Sequence, residues 1–145
     1  MELIHKLTDT TVQPKVVADC CTLVDEEVKA KGGLSGVAIK TGYKATRNIR
    51  PGLIEEAVRK LLPDFAHSLE PMYQAARSAS STHARYFDQH ADHVADALLG
   101  ITDRKINEAQ SSLVRATYQK LRPMAKRHVQ DAVPRIGQLI DKYDV

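Results

Sequence analysis

Pro51-Gly-Leu-Ile-Glu-Glu-Ala-Val-Arg-Lys-Leu-Leu-Pro-Asp-Phe-Ala-His-Ser-Leu-Glu-Pro-Met-Tyr-Gln-Ala-Ala-Arg-Ser-Ala79 carries apolar residues at helical spacing along its whole length. Ile54, Val58, Leu61, Phe65, Leu69, Met72 and Ala76 recur at three- or four-residue steps, which lines them up on one face of an α-helix. Pro63 and Pro71 interrupt the stripe. An internal proline removes a backbone hydrogen bond and clashes one turn back, at a cost of roughly 3 kcal/mol. The sequence therefore predicts a kink or break at Leu62-Pro63 and a milder bend near Glu70-Pro71.

The same period extends in both directions. Val17, Cys20, Cys21, Val24 and Val28 mark a first amphipathic helix, with Thr10 or Thr11 as its cap and Pro14 in its first turn. Gly32 and Gly33 close it, and a second helix is expected over residues 34–48. Downstream, Ser78-Ala-Ser-Ser-Thr82 reads as a loop. A fourth helix then points Tyr86, Phe87, His90, Val94, Ala97, Leu98 and Ile101 inward. Leu113, Ala116, Thr117 and Leu121 define another helix. Pro123 and Pro134 punctuate the last stretch, whose stripe is Ala125, Val129, Ala132, Ile136, Leu139, Ile140 and Tyr143. The expected fold is all-α, a compact bundle or orthogonal array of five to seven helices, several opened or kinked at proline. It is read as one helical domain over residues 1–145, with a flexible N-terminus over about 1–12 and a loop over about 78–82. Ile49-Arg-Pro51 and Leu121-Arg-Pro123 begin two short similar runs, an echo that helical sequences produce easily.

Composition narrows the function classes. At 145 residues the chain can bury an adequate core, and its 43% hydrophobic content is ordinary for a soluble fold. Aromatics make up only 5%, with no Trp, which argues against single-strand nucleic-acid binding by base stacking. The formal net charge is only +3, so any polyanion reading must rest on local clustering. Cys20 and Cys21 are the only cysteines, and adjacent helical residues point too far apart for a good bridge. They read as two buried thiols in a reducing compartment. Met1-Glu-Leu-Ile-His-Lys-Leu-Thr-Asp-Thr10 lacks the apolar core and cleavage pattern of a secretory signal. No run is long enough for a membrane span, and the cytoplasm is the expected location.

Charge clusters in Lys29-Ala-Lys-Gly-Gly-Leu-Ser-Gly-Val-Ala-Ile-Lys-Thr-Gly-Tyr-Lys-Ala-Thr-Arg-Asn-Ile-Arg-Pro-Gly52, which contains no acid. At about 100° per residue, Lys40, Lys44 and Arg47 share one side of a helix and Ala38, Gly42, Ala45 and Ile49 the other. The expectation is a small-residue face pressed into a core and a cationic face held outward, with Gly32, Gly36, Ala38 and Gly42 permitting close helix approach. A second acid-free stretch runs from Ala109 to Gln130. The leading function is a non-catalytic binding module. Its basic face of Lys40, Lys44, Arg47 and Arg50, joined by Lys120, Arg122, Lys126 and Arg127, would hold a polyanion or an acidic protein partner. The competing reading is a solvated face balanced by Asp25-Glu-Glu27 and by the acids between Asp88 and Glu108.

Other chemistry is thinly represented. Gly36-Val-Ala-Ile-Lys-Thr41 faintly echoes a phosphate loop but lacks the glycine before the lysine and the preceding strand. His83, His90, His93 and Asp96 form the alternative site, a metal-binding protein or metal-dependent enzyme, because His90 and His93 are helical neighbours. Asp88, Asp92 and Asp96 repel one another unless a cation or Arg85 relieves them. Zinc-peptidase, di-metal carboxylate and nucleophile-elbow motifs are absent, so no catalytic residue and no cofactor is assigned. A third reading is a homo-oligomeric structural protein, which an exposed apolar patch would favour.

Lys31-Gly-Gly-Leu-Ser-Gly-Val-Ala-Ile-Lys-Thr-Gly-Tyr-Lys44, Ile49-Arg-Pro-Gly52, Leu61-Leu-Pro-Asp-Phe65, Leu69-Glu-Pro71, Val94-Ala-Asp-Ala-Leu-Leu99, Thr102-Asp-Arg104, Leu121-Arg-Pro123 and the stretch from Val129 to Tyr143 together resemble a family of small uncharacterised bacterial proteins, found mainly in actinobacteria. The resemblance covers most of the chain from about Pro14 onward. That family has no assigned activity, so the resemblance implies no catalytic residue, cofactor or partner. It implies a cytoplasmic bacterial setting and a single helical domain.

Overall fold

The structure, a computed structural model, describes residues 1–144. Seven helices and no strand are found among them: α1 (Leu3–Thr8), α2 (Gln13–Ala30), α3 (Gly33–Ile49), α4 (Leu53–Ser78), α5 (His83–Gln89), α6 (Ala91–Asn107) and α7 (Ser112–Tyr143). The fold is all-α.

Helix α4 is the central element. Helices α1 and α2 pack on it, and so do α5 and α6. Its fully buried stripe is Leu62, Ala66, Leu69, Tyr73 and Ala76. Ile54, Val58, Leu61, Phe65 and Met72 are only half-buried, which turns the expected stripe by about one residue. A helix covered on two sides buries an arc wider than one stripe, and the centre of that arc is set by its neighbours. Neither Pro63 nor Pro71 divides the helix. Buried Leu62 and Ala66 flank Pro63, and their packing offsets the bond the proline removes.

Helix α7 lies across α5, α6 and α2. It runs antiparallel to α2, as three pairs show: Lys142–Asp19 at 2.8 Å, Arg135–Glu27 at 2.7 Å and Lys31–Asp131 at 3.5 Å. Pro123 and Pro134 sit inside this helix without ending it. Its N-terminal half corrects the sequence reading. Leu113, Ala116, Thr117 and Leu121, expected to define a helix of their own, belong to the single helix α7 and are exposed. Helix α6 holds this segment through polar side chains rather than through an apolar core.

The expected fourth helix is two helices, α5 and α6, separated at His90. The His90 backbone nitrogen lies 3.1 Å from Tyr86 O and its ring Nδ1 2.8 Å from the same oxygen. The same backbone N–H also lies 3.1 Å from Phe87 O, a tightened last turn that ends α5 at His90, whose backbone is non-helical at φ −120° and ψ 32°. Gly137 brings α5 against α7, for a Cβ placed there would stand 2.6 Å from Ala84 Cα. Asp141 caps α5, accepting from His83 N at 2.7 Å and Ala84 N at 3.0 Å.

The segment expected as a flexible N-terminus contains α1, whose Leu3 and Leu7 are buried in the core. Leu3 N donates to Glu70 at 2.8 Å, and Lys6 pairs with Asp144. Neither Thr10 nor Thr11 caps α2. Val12 holds the N-cap position, and Thr11 instead donates its backbone N–H and hydroxyl to Asp9.

Candidate functional site

Helix α3 is the least covered of the long helices. Of its 17 residues only Gly36 is buried. Ser35, Ile39, Tyr43 and Thr46 are half-buried and face α2 and the start of α4. The chain turns so tightly before α3 that a Cβ on Gly36 would stand 2.7 Å from the Lys31 carbonyl carbon. This close approach is local, made to the preceding turn. A Cβ on Gly32 or Gly42 would meet nothing within 4 Å, so neither glycine serves a close approach by a neighbouring helix.

The orientation of α3 therefore corrects the sequence reading. Ala38, Gly42, Ala45 and Ile49 are exposed rather than pressed into a core. Leu34 is 91% exposed, Val37 62% and Ile49 83%. The physical reason is the position of the stripe. Gly36, Ile39 and Tyr43 already fill the contact with α2 and α4, and the small-residue face lies on the far side of the helix. The cationic strip of Lys40 and Lys44 borders this apolar face instead of opposing it.

The four cations of α3 and its C-terminus divide into two pairs. Arg47 reaches Asp25 at 3.4 Å and lies over the Tyr43 ring at 5.7 Å from its centroid. Arg50 meets Glu56 at 3.1 Å. Lys40 and Lys44 are exposed and form no ion pair or side-chain hydrogen bond with the described residues. A cavity of about 340 Å³, which Lys40 and Lys44 do not line, is bordered by Cys21, Asp25, Tyr43, Arg47, Arg50 and Glu55. Its charges are already matched, Glu55 by Arg59 at 3.0 Å, so it offers no free charge to a ligand.

The second basic stretch is partly consumed inside the fold. Arg122 grips Asp103 with two bonds of 2.8 Å, and it reaches Asp96 at 3.5 Å. Lys126 meets Asp92 at 2.7 Å and Asp96 at 3.0 Å. Hydrogen bonding by Arg122 holds the Asp103 carboxyl below the usual range against the opposing effect of burial. The bonds to Asp92 and Asp96 raise the Lys126 amine. These two cations relieve the repulsion between Asp92 and Asp96 that the sequence displays. Lys120 and Arg127 remain exposed.

The alternative metal residues are not brought together. His83 is 2% exposed, stacks on Tyr73 with ring centroids 4.7 Å apart, and places Nε2 at 2.7 Å from Asp144. His90 stacks on Tyr86 at 4.1 Å. His93 is exposed, and Asp96 is engaged by Lys126 and Arg122. Among the described residues no group of three His, Cys, Asp or Glu side chains could hold a metal ion. Cys20 and Cys21 are unbridged, and burial pushes the Cys20 thiol up to about 12, far from reactive thiolate.

The feature that sequence reasoning missed is the exposure of Leu34 and Val37. The pattern did contain a trace of it: the apolar arc of α3 is wide, and only part of it could meet α2. Among the described residues no helix is long and apolar enough to cross a membrane. A family model described as a family of unknown function (DUF6918) matches residues 3–144. No curated protein and no solved structure matches the chain.

Proposed function

We propose that this chain, which belongs to the family of unknown function DUF6918, is a non-catalytic binding module that holds an acidic protein partner on α3. The observation that supports this reading is the contrast between two sets of cations. Arg122 and Lys126 are engaged by Asp92, Asp96 and Asp103, so the exposed Lys120 and Arg127 of α7 stand near those carboxylates, whereas Lys40 and Lys44 stand unpaired beside an uncovered apolar face on a helix that contains no acid. Unpaired surface lysines attract and steer an oppositely charged surface. The adjacent apolar side chains of Leu34, Val37 and Ile49 add burial that charge alone does not supply.

An acidic protein fits this surface better than nucleic acid does. Phosphates are held by hydrogen bonds and charge, and Leu34 and Val37 would stand against them without a partner of their own kind. A reducing, cytoplasmic setting belongs to the same proposal, since both thiols are unbridged.

Retention on immobilised poly-glutamate across a salt gradient tests the reading. The wild type is expected to elute well above low salt, and Lys40→Glu with Lys44→Glu to abolish retention without loss of helicity. The matched control, Lys120→Glu with Arg127→Glu, should elute near the wild type. Equal elution of the wild type and the Lys40/Lys44 variant contradicts the proposal.

A further inference from the structure

We infer that the segment α3 receives is itself an α-helix, with small and apolar residues along its contact face and Asp or Glu on one flank. The inference deepens the reading above and rests on it.

Three observations on α3 carry it. The first is backbone chemistry. Between its first and last turns the backbone groups of α3 are paired within the helix, Gly36 N donating to Gly32 O at 3.1 Å and Arg50 N to Thr46 O at 2.9 Å. An extended segment laid on α3 would find no backbone partners there, whereas a helix brings its own bonds satisfied. The second is the spacing of the uncovered face. Leu34, Val37, Ala38, Thr41, Ala45 and Ile49 are all exposed and recur at helical steps along the element. Larger side chains stand at its ends and small ones at its middle. That profile admits a second helix near the close end of the usual ~8–10 Å interaxial range, with Leu34 and Ile49 closing over it. The third is asymmetry of charge. Lys40 and Lys44 border the stripe on one side only, and the other side offers Gly42 and Ser35. An acidic flank on the partner would therefore fix its orientation.

A second copy of this chain does not supply that charge through the same face or through the uncovered apolar side chains of α7. Gly33–Ile49 contains no acid. The uncovered apolar side chains of α7, Leu113, Val114 and Leu121, lie in the acid-free stretch that carries Lys120 and Arg127. A contact between copies through these faces would oppose like charges.

The test uses the whole chain and two synthetic peptides of equal composition. One places Leu and Ala in a continuous helical stripe with Glu along one flank. The other shuffles the residues so that no stripe forms. The wild type is expected to bind the striped peptide at least about tenfold more tightly than the shuffled one. Leu34→Gln with Val37→Gln, which leaves the charge beside Lys40 and Lys44 as it is, should erase that preference. Both side chains are exposed, so the variant should melt close to the wild type. Equal binding of the two peptides overturns the inference and leaves the acidic-partner reading standing. Tighter binding to mixed phosphatidylcholine and phosphatidylglycerol vesicles than to the striped peptide overturns it in favour of a lipid surface. A wild-type dimer that Leu34→Gln with Val37→Gln dissociates overturns it in favour of self-association. Failure of the acidic-partner reading would show separately, as poly-glutamate retention that Lys40→Glu with Lys44→Glu does not change.

Discussion

The Arg122 guanidinium and the Asp103 carboxylate meet side by side, Nε to Oδ1 and Nη2 to Oδ2, both at 2.8 Å. Tyr118 donates to the same carboxylate. This bidentate pair joins the end of α6 to the N-terminal half of α7, where Leu113, Val114 and Leu121 are exposed and give little apolar packing. Replacing Arg122 by Ala should cost about 1 kcal/mol, a figure kept low because both side chains are about one-third exposed and screened by solvent. Arg122→Lys should recover only part of it, since an ammonium cannot make the paired contact. Denaturant melts check this, with Lys120→Ala as the neutral comparison.

Asp144 gives the fold an acid limb. Burial acts to raise its carboxyl, but hydrogen bonds from Lys6, His83 and Tyr73 outweigh it and hold the group well below the ordinary carboxylate range. In the unfolded chain the group returns to its ordinary value, so the unfolded state binds more protons over the interval between the two. The stability from Asp144 is therefore full above about pH 4 and is lost as pH falls through the folded value. Asp144→Asn should destabilise the protein by about 2 kcal/mol at neutral pH, because Lys6 and His83 lose a charged partner. The variant should also show a flatter loss of stability on acidification. Thermal melts between neutral pH and pH 3 read both effects.

Two glycines should respond in opposite directions to alanine. At Gly42 nothing lies within 4 Å of the added methyl, and the residue sits inside a helix. Gly42→Ala should stabilise by up to about 1 kcal/mol through helix propensity. At Gly137 the methyl would stand 2.6 Å from Ala84 Cα and 2.9 Å from His83 O, both backbone atoms that cannot swing aside. Gly137→Ala should cost about 2 kcal/mol or more by forcing α5 off α7. Comparison of the two melting temperatures settles the signs.

The helical class and most helix positions were legible because the apolar period is strong from Val17 to Tyr143. The break at His90 was not, since it is a tightened turn in which one backbone N–H is shared between Tyr86 O and Phe87 O, and the apolar period continues smoothly across it. Helix α1 was hidden for another reason: Leu3 and Leu7 offer too short a stripe to read, and their burial comes from α4. At the candidate site the sequence showed the charge of α3 but not its neighbours. Opposite faces of a helix can be told apart by period alone, while which face meets the core depends on where α2 and α4 lie. The same limit applied to Arg122 and Lys126. Their partners, Asp92, Asp96 and Asp103, stand on another helix, and nothing local announces the pairing.

If α3 is a docking face for an acidic protein partner, amide chemical-shift mapping of the labelled protein with poly-glutamate will locate it residue by residue. Shifts should concentrate from Leu34 to Ile49, be largest around Lys40 and Lys44, and vanish in the Lys40→Glu with Lys44→Glu variant. Shifts centred on α7 around Lys120 and Arg127, or none at all, would show that α3 is not the docking face.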